Sequence, residues 1–296
     1  MQDFDFSPWA NAQCQQVEQA LATWVGVDAP AALGDAMRYA VLDGGKRLRP
    51  LLVLAAAQAV GGNAAAALRA ACAVELIHAY SLVHDDMPCM DNDVLRRGKP
   101  TVHVAFGQAQ ALLAGDALQA QAFELLTPDG AEVPAAMQAH LCRILARAAG
   151  ARGMAGGQAI DLASVGQQLT EAQLRQMHRL KTGALLEASV LLGAACGQAW
   201  APALAALHTY GQTLGLAFQV VDDVLDVVAD AATLGKTPGK DAANAKPTYV
   251  ALLGLDGARA LAQDLLAQAS AALAQSGLGQ TQALLALAHQ VVGRSH

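Results

Sequence analysis

The stretch Leu216-Ala217-Phe218-Gln219-Val220-Val221-Asp222-Asp223-Val224-Leu225-Asp226 decides how the rest of the chain is read. It closes a run from Ala188 to Val221 that lacks Asp, Glu, Lys and Arg, and it ends in carboxylates. Such a run is long enough to cross a bilayer. Gly193, Gly197, Gln198, Pro202, His208 and Gln212 interrupt it, however, and two buried helices meeting near Pro202 account for it better. Aromatic residues, at 4%, are also too few for the interfacial belts of a membrane protein, so no stable membrane insertion is expected. Asp222 and Asp226 are four apart, about 40° around a helix, and share one face. Ionised groups ending an apolar helix are costly unless a cation compensates them.

The same pattern occurs upstream. Asp85-Asp86-Met87-Pro88-Cys89-Met90-Asp91 ends another apolar stretch, with Asn92, Asp93 and the pair Arg96-Arg97 close behind. An unbroken helix would put Asp85 and Asp91 on different faces. Pro88 removes an interior hydrogen bond and bends the chain, which brings Asp91 back towards Asp85. The chain has no nucleotide-binding loop, so two carboxylate clusters read as two walls of oxygen ligands. Mg²⁺ and a phosphate-bearing substrate would lie between them.

Composition supports a helical protein of one large domain, residues 1–296. The chain is rich in Ala, Leu and Gln and poor in β-branched alternation, so the fold class is all-α. Helices are expected over about 9–25, 30–42, 50–60, 64–86, 104–126, 133–148 and 152–163. Another opens at the capping box Thr170/Gln173 and reaches about Cys196, one runs from Pro202 to about Ala229, and Asp256 caps one near the C-terminus. Several look apolar nearly all round, as helices inside a large bundle do. A net charge of −6 gives no nucleic-acid footprint. Five cysteines without paired spacing argue for a reducing compartment, and the acidic start Met1–Asp5 is no signal or transit peptide; a cytoplasmic location is expected.

Basic groups flank both acidic clusters. Gly44-Gly45-Lys46-Arg47-Leu48-Arg49-Pro50 combines a tight turn, cations and a helix N-terminus, which makes a diphosphate cradle. Arg96-Arg97-Gly98-Lys99-Pro100 follows the first carboxylates directly. His78 lies two helical turns before Asp85; alone, a His in an apolar helix reads as a core residue. Lys181-Thr182-Gly183 sits inside a helical stretch, where a Lys needs an anionic partner or a cavity. Gln219 is a neutral polar group three residues before Asp222. Lys236, Lys240 and Lys246 stand in the Gly/Pro-bearing segment after the second cluster, as a cationic lid would.

Taken together, Gly-Gly-Lys-Arg-Leu-Arg-Pro, the Asp85–Asp91 cluster with Leu-Arg-Arg-Gly-Lys-Pro-Thr, Lys181-Thr182-Gly183, Phe-Gln-Val-Val-Asp-Asp-Val-Leu-Asp and Leu-Gly-Lys-x-x-Gly-Lys-Asp resemble the trans-isoprenyl diphosphate synthases, and the bacterial farnesyl diphosphate synthases in particular. The resemblance runs in order from about Gly44 to the C-terminus. It implies an all-α bundle of about ten or more helices around a deep central cavity, and a homodimer. It also implies head-to-tail condensation of isopentenyl diphosphate with dimethylallyl or geranyl diphosphate.

By position, Asp85, Asp91 and Asp222 would ligate a cluster of three Mg²⁺, supported by Asp86, Asp223 and Asp226. Arg96, Lys181 and Lys236 would hold the allylic diphosphate, and Lys246 is a further substrate-binding candidate. Lys46, Arg49, His78 and Arg97 would hold isopentenyl diphosphate, which turns His78 into a ligand. Thr182 and Gln219 would steady the allylic cation, and no Ser/His/Asp or Cys/His nucleophile is required. The Tyr80 ring, beside Ser81 one turn below Asp85, would floor the product channel, while the small Ser81 leaves more room than a second aromatic would. Farnesyl diphosphate is the expected product, with geranyl and geranylgeranyl diphosphate as rivals. A one-substrate cyclase would have no use for the second, Gly-Gly-Lys-Arg-Leu-Arg cradle. A non-catalytic helical partner subunit would be expected to have lost one cluster or one cradle, and both are intact.

Overall fold

Runs of Ala, Leu and Gln with few β-branched residues favour helix everywhere, and helices build almost the whole molecule. The structure is a computed structural model that describes residues 4–26, 28–42, 44–167, 169–228 and 248–293. Helices α1 (Phe6–Trp24), α2 (Leu33–Val41), α3 (Leu48–Ala59) and α4 (Ala64–Asp85) come first. A two-residue hairpin, β1 (Leu95–Arg96) and β2 (Lys99–Pro100), precedes α5 (Val102–Phe106) and α6 (Gln108–Leu126). Next are α7 (Ala135–Ala149), α8 (Met154–Ala163) and α9 (Glu171–His178), then a π-helical turn (Arg179–Gly183). The chain continues through α10 (Ala184–Ala195), α11 (Ala201–Val228), α12 (Tyr249–Gln275) and α13 (Gln282–Gly293).

Polar caps start these helices where the sequence supplies them. Asn63 accepts from the Ala66 N–H at 2.9 Å, and Thr170 with Gln173 forms the expected capping box of α9. Helix α4 is long and apolar enough to cross a bilayer, yet it is mostly buried between α3 and α6. The run without charges splits into α10 and α11, as the break near Pro202 implied; Cys196 at that break accepts the Asn63 N–H through its carbonyl at 2.7 Å. Helix α10 packs on α3 and α11, and α11 packs on α12. One core gathers Leu76 and Ile77 of α4 with Leu118, Leu141 and Leu145. A second joins Leu52, Leu186, Tyr210 and Leu287, and a third joins Met177, Val220 and Tyr249.

Three expectations are corrected, and a fourth gains a detail. Residues 104–126 are not one helix, because Gly107 adopts φ 87° and separates α5 from α6. The helix from Thr170 does run on to Ala195, and it contains the π turn. Asp256 does not cap a helix: Thr248 caps α12 through the Ala251 N–H, and Gly254, at φ 71°, kinks that helix two residues before Asp256. Pro88 does not bend a continuing helix, because α4 has already ended at Asp85.

Close approach of α3 and α10 sets the width of the central layer. A Cβ on Gly193 would lie 2.1 Å from the Val53 carbonyl oxygen, a backbone atom that cannot step aside. Gly→Ala normally stabilises a helix by about 1 kcal/mol. Here Gly193→Ala should instead destabilise by about 1–3 kcal/mol, the usual cost of overpacking. Urea denaturation midpoints check this, and a midpoint that rises would show the crossing to be loose.

Candidate active site

The first acidic cluster sits where α4 stops. Asp85 is its last residue, and the next turns curl back so that the Asp91 N–H donates to the Asp85 carbonyl at 2.9 Å. Asp91 therefore returns to Asp85, as the sequence implied. Asp86 is buried and accepts Arg96 Nε on both oxygens, at 2.9 and 2.8 Å. The hairpin makes this possible: Arg97 and Gly98 take positive φ at its tip, so Arg96 folds inward while Arg97 turns towards α3. Burial, aided by Asp91 and Asp86 and opposed by Lys181 and Arg96, pushes the Asp85 carboxyl up to about 6.

The Gly44–Pro50 segment forms the second feature. Arg47 lies in the left-handed region at φ 44° and is buried. It donates to Glu18 and Glu75 at 2.6 Å each and to the Val41 carbonyl at 2.7 Å. Arg47 thus anchors the loop to α1, α2 and α4, while Lys46 and Arg49 on either side line a cavity. The cavity has a volume of about 420 Å³, and His78, Arg97, Phe218 and Gln290 also line it. Arg97 donates to the Gly44 carbonyl at 2.5 Å, and a Cβ on Gly45 would strike its guanidinium at 2.8 Å. The four residues expected to hold one diphosphate, Lys46, Arg49, His78 and Arg97, therefore share one hollow. Burial and the surrounding arginines hold the His78 imidazole well below its usual range, so it is neutral there.

The π turn joins the two acidic walls. Lys181 donates to Asp161 of α8 at 2.5 Å and lies near enough to Asp85 to offset its burial. Thr182 donates to Gln219 Oε1 at 3.1 Å, and Gln219 Nε2 donates to Asp223 at 2.9 Å. Asp222 acts on Arg49 from the neighbouring face of α11, and Asp226 is buried one turn further on. The π turn thus has Asp85 of α4 on one side and the Asp222–Asp226 stretch of α11 on the other. Such insertions in a helix mark functional sites more often than regular turns do. Tyr80 packs edge-on against His84, centroids 5.8 Å apart, with its hydroxyl near the Gln119 side chain. Ser81 Oγ donates to the His78 carbonyl at 2.8 Å. Lys236, Lys240 and Lys246 lie outside the described residues.

Comparison with known proteins decides the family. The polyprenyl synthetase family model matches residues 30–278. The chain belongs to that family. It is 46% identical to the farnesyl diphosphate synthase of Escherichia coli over 98% of this chain and 99% of that protein. It is 43% identical to a chloroplastic geranylgeranyl pyrophosphate synthase of Catharanthus roseus, covering 99% and 82%. The crystal structure of a Zymomonas mobilis FPP/GFPP synthase superposes with a TM-score of 0.86 at 41% identity, covering 97% and 98%.

Several residues of this polyprenyl synthetase site escaped the sequence reading. Asp161 is the anionic partner that Lys181 demanded, and its signal was a lone carboxylate in the apolar helix α8. Gly157 permits the contact, since a Cβ there would meet the Lys181 N at 2.1 Å. Glu75, likewise alone in apolar α4, was the partner for Arg47. Phe218 and Gln290 carry no local signal; only the cavity places them. His178 closes α9 beside the π turn and packs on Tyr249, with both ring nitrogens buried and lacking hydrogen-bond partners.

Burial, with Lys181 adding to it and Asp161 opposing it, lowers the His178 pKa to about 4. The unfolded imidazole binds its proton near 6.5 and the folded one only near 4. The unfolded state therefore binds more protons in this window, and the stability His178 contributes is lost as pH falls from 6.5 through 4. His178→Leu should remove that limb. Asp85 acts in the opposite sense over an overlapping range, so the variant-minus-wild-type difference in denaturation free energy carries the test. That difference should shift in favour of the variant between about pH 7 and about pH 5; a flat difference would contradict the assignment.

Proposed function

We propose that the protein condenses isopentenyl diphosphate head-to-tail with dimethylallyl or geranyl diphosphate and releases farnesyl diphosphate. The observation that carries this reading is the cavity lined by Lys46, Arg49, His78 and Arg97, with the acidic clusters beside it. Two diphosphates need two different anion sites, one built from cations and one from carboxylates with metal. A single-substrate enzyme has no need of the first.

The acidic walls suit Mg²⁺. Their donors are carboxylate oxygens, the preferred ligands of that ion. Burial above all, with Asp91 and Asp86 nearby, raises the Asp85 pKa, and a divalent cation would favour its charged form. Among the described residues no three acidic, His or Cys side chains make a group that would hold a metal ion by themselves. Mg²⁺ does not require one, because it keeps waters and takes substrate phosphate oxygens to complete its shell. In this reading Asp85, Asp91 and Asp222 would hold three ions, with Asp226 on the Asp222 face and Asp86 and Asp223 supporting from behind. Bound Mg²⁺ supplies neutralisation of the departing diphosphate.

The chain's own groups do the rest. Arg96 and Lys181 hold the allylic diphosphate, each kept in place by a carboxylate, Asp86 and Asp161. As the allylic C–O bond breaks, the Thr182 and Gln219 oxygens face the carbon that gains positive charge. Lys46, Arg49, neutral His78 and Arg97 hold isopentenyl diphosphate so that its double bond attacks that carbon. A C–C bond forms, and the proton lost from isopentenyl carbon passes to the released diphosphate. Apolar walls keep water from capturing the cation. The reading extends to a homodimer, for which exposed Val104, Leu112 and Leu113 on α5 and α6 offer an apolar face.

Purified protein with Mg²⁺, isopentenyl diphosphate and geranyl diphosphate should release diphosphate and form a fifteen-carbon prenyl diphosphate, read by mass spectrometry. No elongation by a folded sample would favour a non-catalytic partner subunit. Geranylgeranyl diphosphate as sole product would move the chain to the longer-chain members, a rival kept open by the Catharanthus relative. Tyr80→Ala should lengthen the product by at least one five-carbon unit, since the ring is removed from the wall of α4. An unchanged product would place the channel floor elsewhere.

A further inference from the structure

Asp223 is 2% exposed, and both of its oxygens are engaged by neutral donors. Oδ1 accepts Gln219 Nε2 at 2.9 Å, and Oδ2 accepts the backbone N–H of Tyr249, the first residue of α12, at 2.7 Å. Its neighbour Asp222 lies near enough to Arg49 to act on its charge. Successive residues on a helix diverge by about 100°, so Asp222 and Asp223 leave the backbone in different directions. Asp226, four past Asp222, returns to the Asp222 face; Asp223 faces the π turn and α12.

We propose that Asp223 is a positioning residue, which sets the direction of the Gln219 amide and through it the Thr182 hydroxyl, and is not a metal ligand. The chain of constraint is chemical. A carboxylate only accepts, so the Gln219 NH₂ must face Asp223. Its carbonyl is then fixed on the opposite side, 3.1 Å from Thr182 Oγ1. A carbonyl also only accepts, so the Thr182 proton must point at it, which leaves the hydroxyl lone pairs turned away from Gln219. Asp223 thereby decides which end of the Gln219 dipole is presented beside Thr182. An inverted amide would offer N–H to a carbon that is gaining positive charge, turning an attraction into a repulsion. The inference rests on the proposed function only for that last step; the orientation itself does not depend on it.

Asp223→Asn separates the roles. Asn keeps an acceptor for the Tyr249 N–H, so α12 stays capped, but it presents NH₂ to Gln219 and favours the inverted amide. The expected result is a kcat lowered about 10- to 100-fold, with KM for both diphosphates and the Mg²⁺ concentration for half-maximal rate unchanged. Calorimetric binding of Mg²⁺ with inorganic diphosphate should also match wild type. The double variant with Gln219→Leu should be no slower than Gln219→Leu alone, because Asp223 acts only through that residue.

A Mg²⁺ requirement raised tenfold or more, or losses that multiply in the double variant, would make Asp223 a ligand and overturn the proposal. A readout independent of turnover is the solvent exchange of the Gln219 side-chain NH₂, assigned by its loss in Gln219→Leu. It should be slow in wild type and fast in Asp223→Asn; equal rates would overturn the positioning role even if no reaction occurs. The wild-type reaction run alongside tests the proposed function separately. If Asp223→Asn does not fold, slow exchange in wild type still supports the Gln219–Asp223 bond, and fast exchange there refutes it.

Discussion

An apolar helical bundle can keep ionised groups near its centre only where opposite charge answers them. In this molecule the answers come from distant parts of the chain. Arg47 of the glycine turn meets Glu18 and Glu75, Arg96 of the hairpin meets Asp86, and Lys181 of the π turn meets Asp161. Each pair places one charged group by means of another, so the geometry of the pocket follows from charge compensation as much as from helix packing. The strain of burial survives at Asp85, whose carboxyl remains high despite Lys181 and Arg96 nearby.

Backbone departures from regular helix do the fine positioning. The Gly44–Gly45 turn lets the Arg97 guanidinium lie against the chain, with no Cβ in its way. The π turn places Lys181 towards α8 and α4 and Thr182 towards α11, which links helices that carry different acidic clusters. Rigid helices set the frame, and these irregular segments aim the polar groups, the usual division of labour at a functional site.

Much of the site was legible before any coordinates. Lys46, Arg49, His78 and Arg97 line one cavity, and Asp91 does return to Asp85, both as the sequence implied. The first inference came from the resemblance to the isoprenyl diphosphate synthases, which alone turned His78 into a ligand, and the second from the proline that follows the first aspartate pair. The failures share a different character. The end of α4 before Pro88, the Gly107 break and the Gly254 kink are all backbone events, as is the π turn that the helix from Thr170 contains. A single glycine or an extra residue in a turn has several allowed conformations, and packing chooses among them.

Asp161 and Glu75 show the remaining gap. Each was visible as a lone carboxylate in an apolar helix, but its partner lies 20 or 28 residues away along the chain. By itself the sequence determined the helical class, the inventory of acids and cations, and the faces on which neighbouring ones fall, because helix periodicity and side-chain chemistry act over a few residues. Only the tertiary structure decided which cation anchors the loop and which faces the cavity, and which aspartates are held by arginine or glutamine. Those outcomes depend on where separate helices cross, and crossing is settled by packing between segments that carry no record of one another in their spacing.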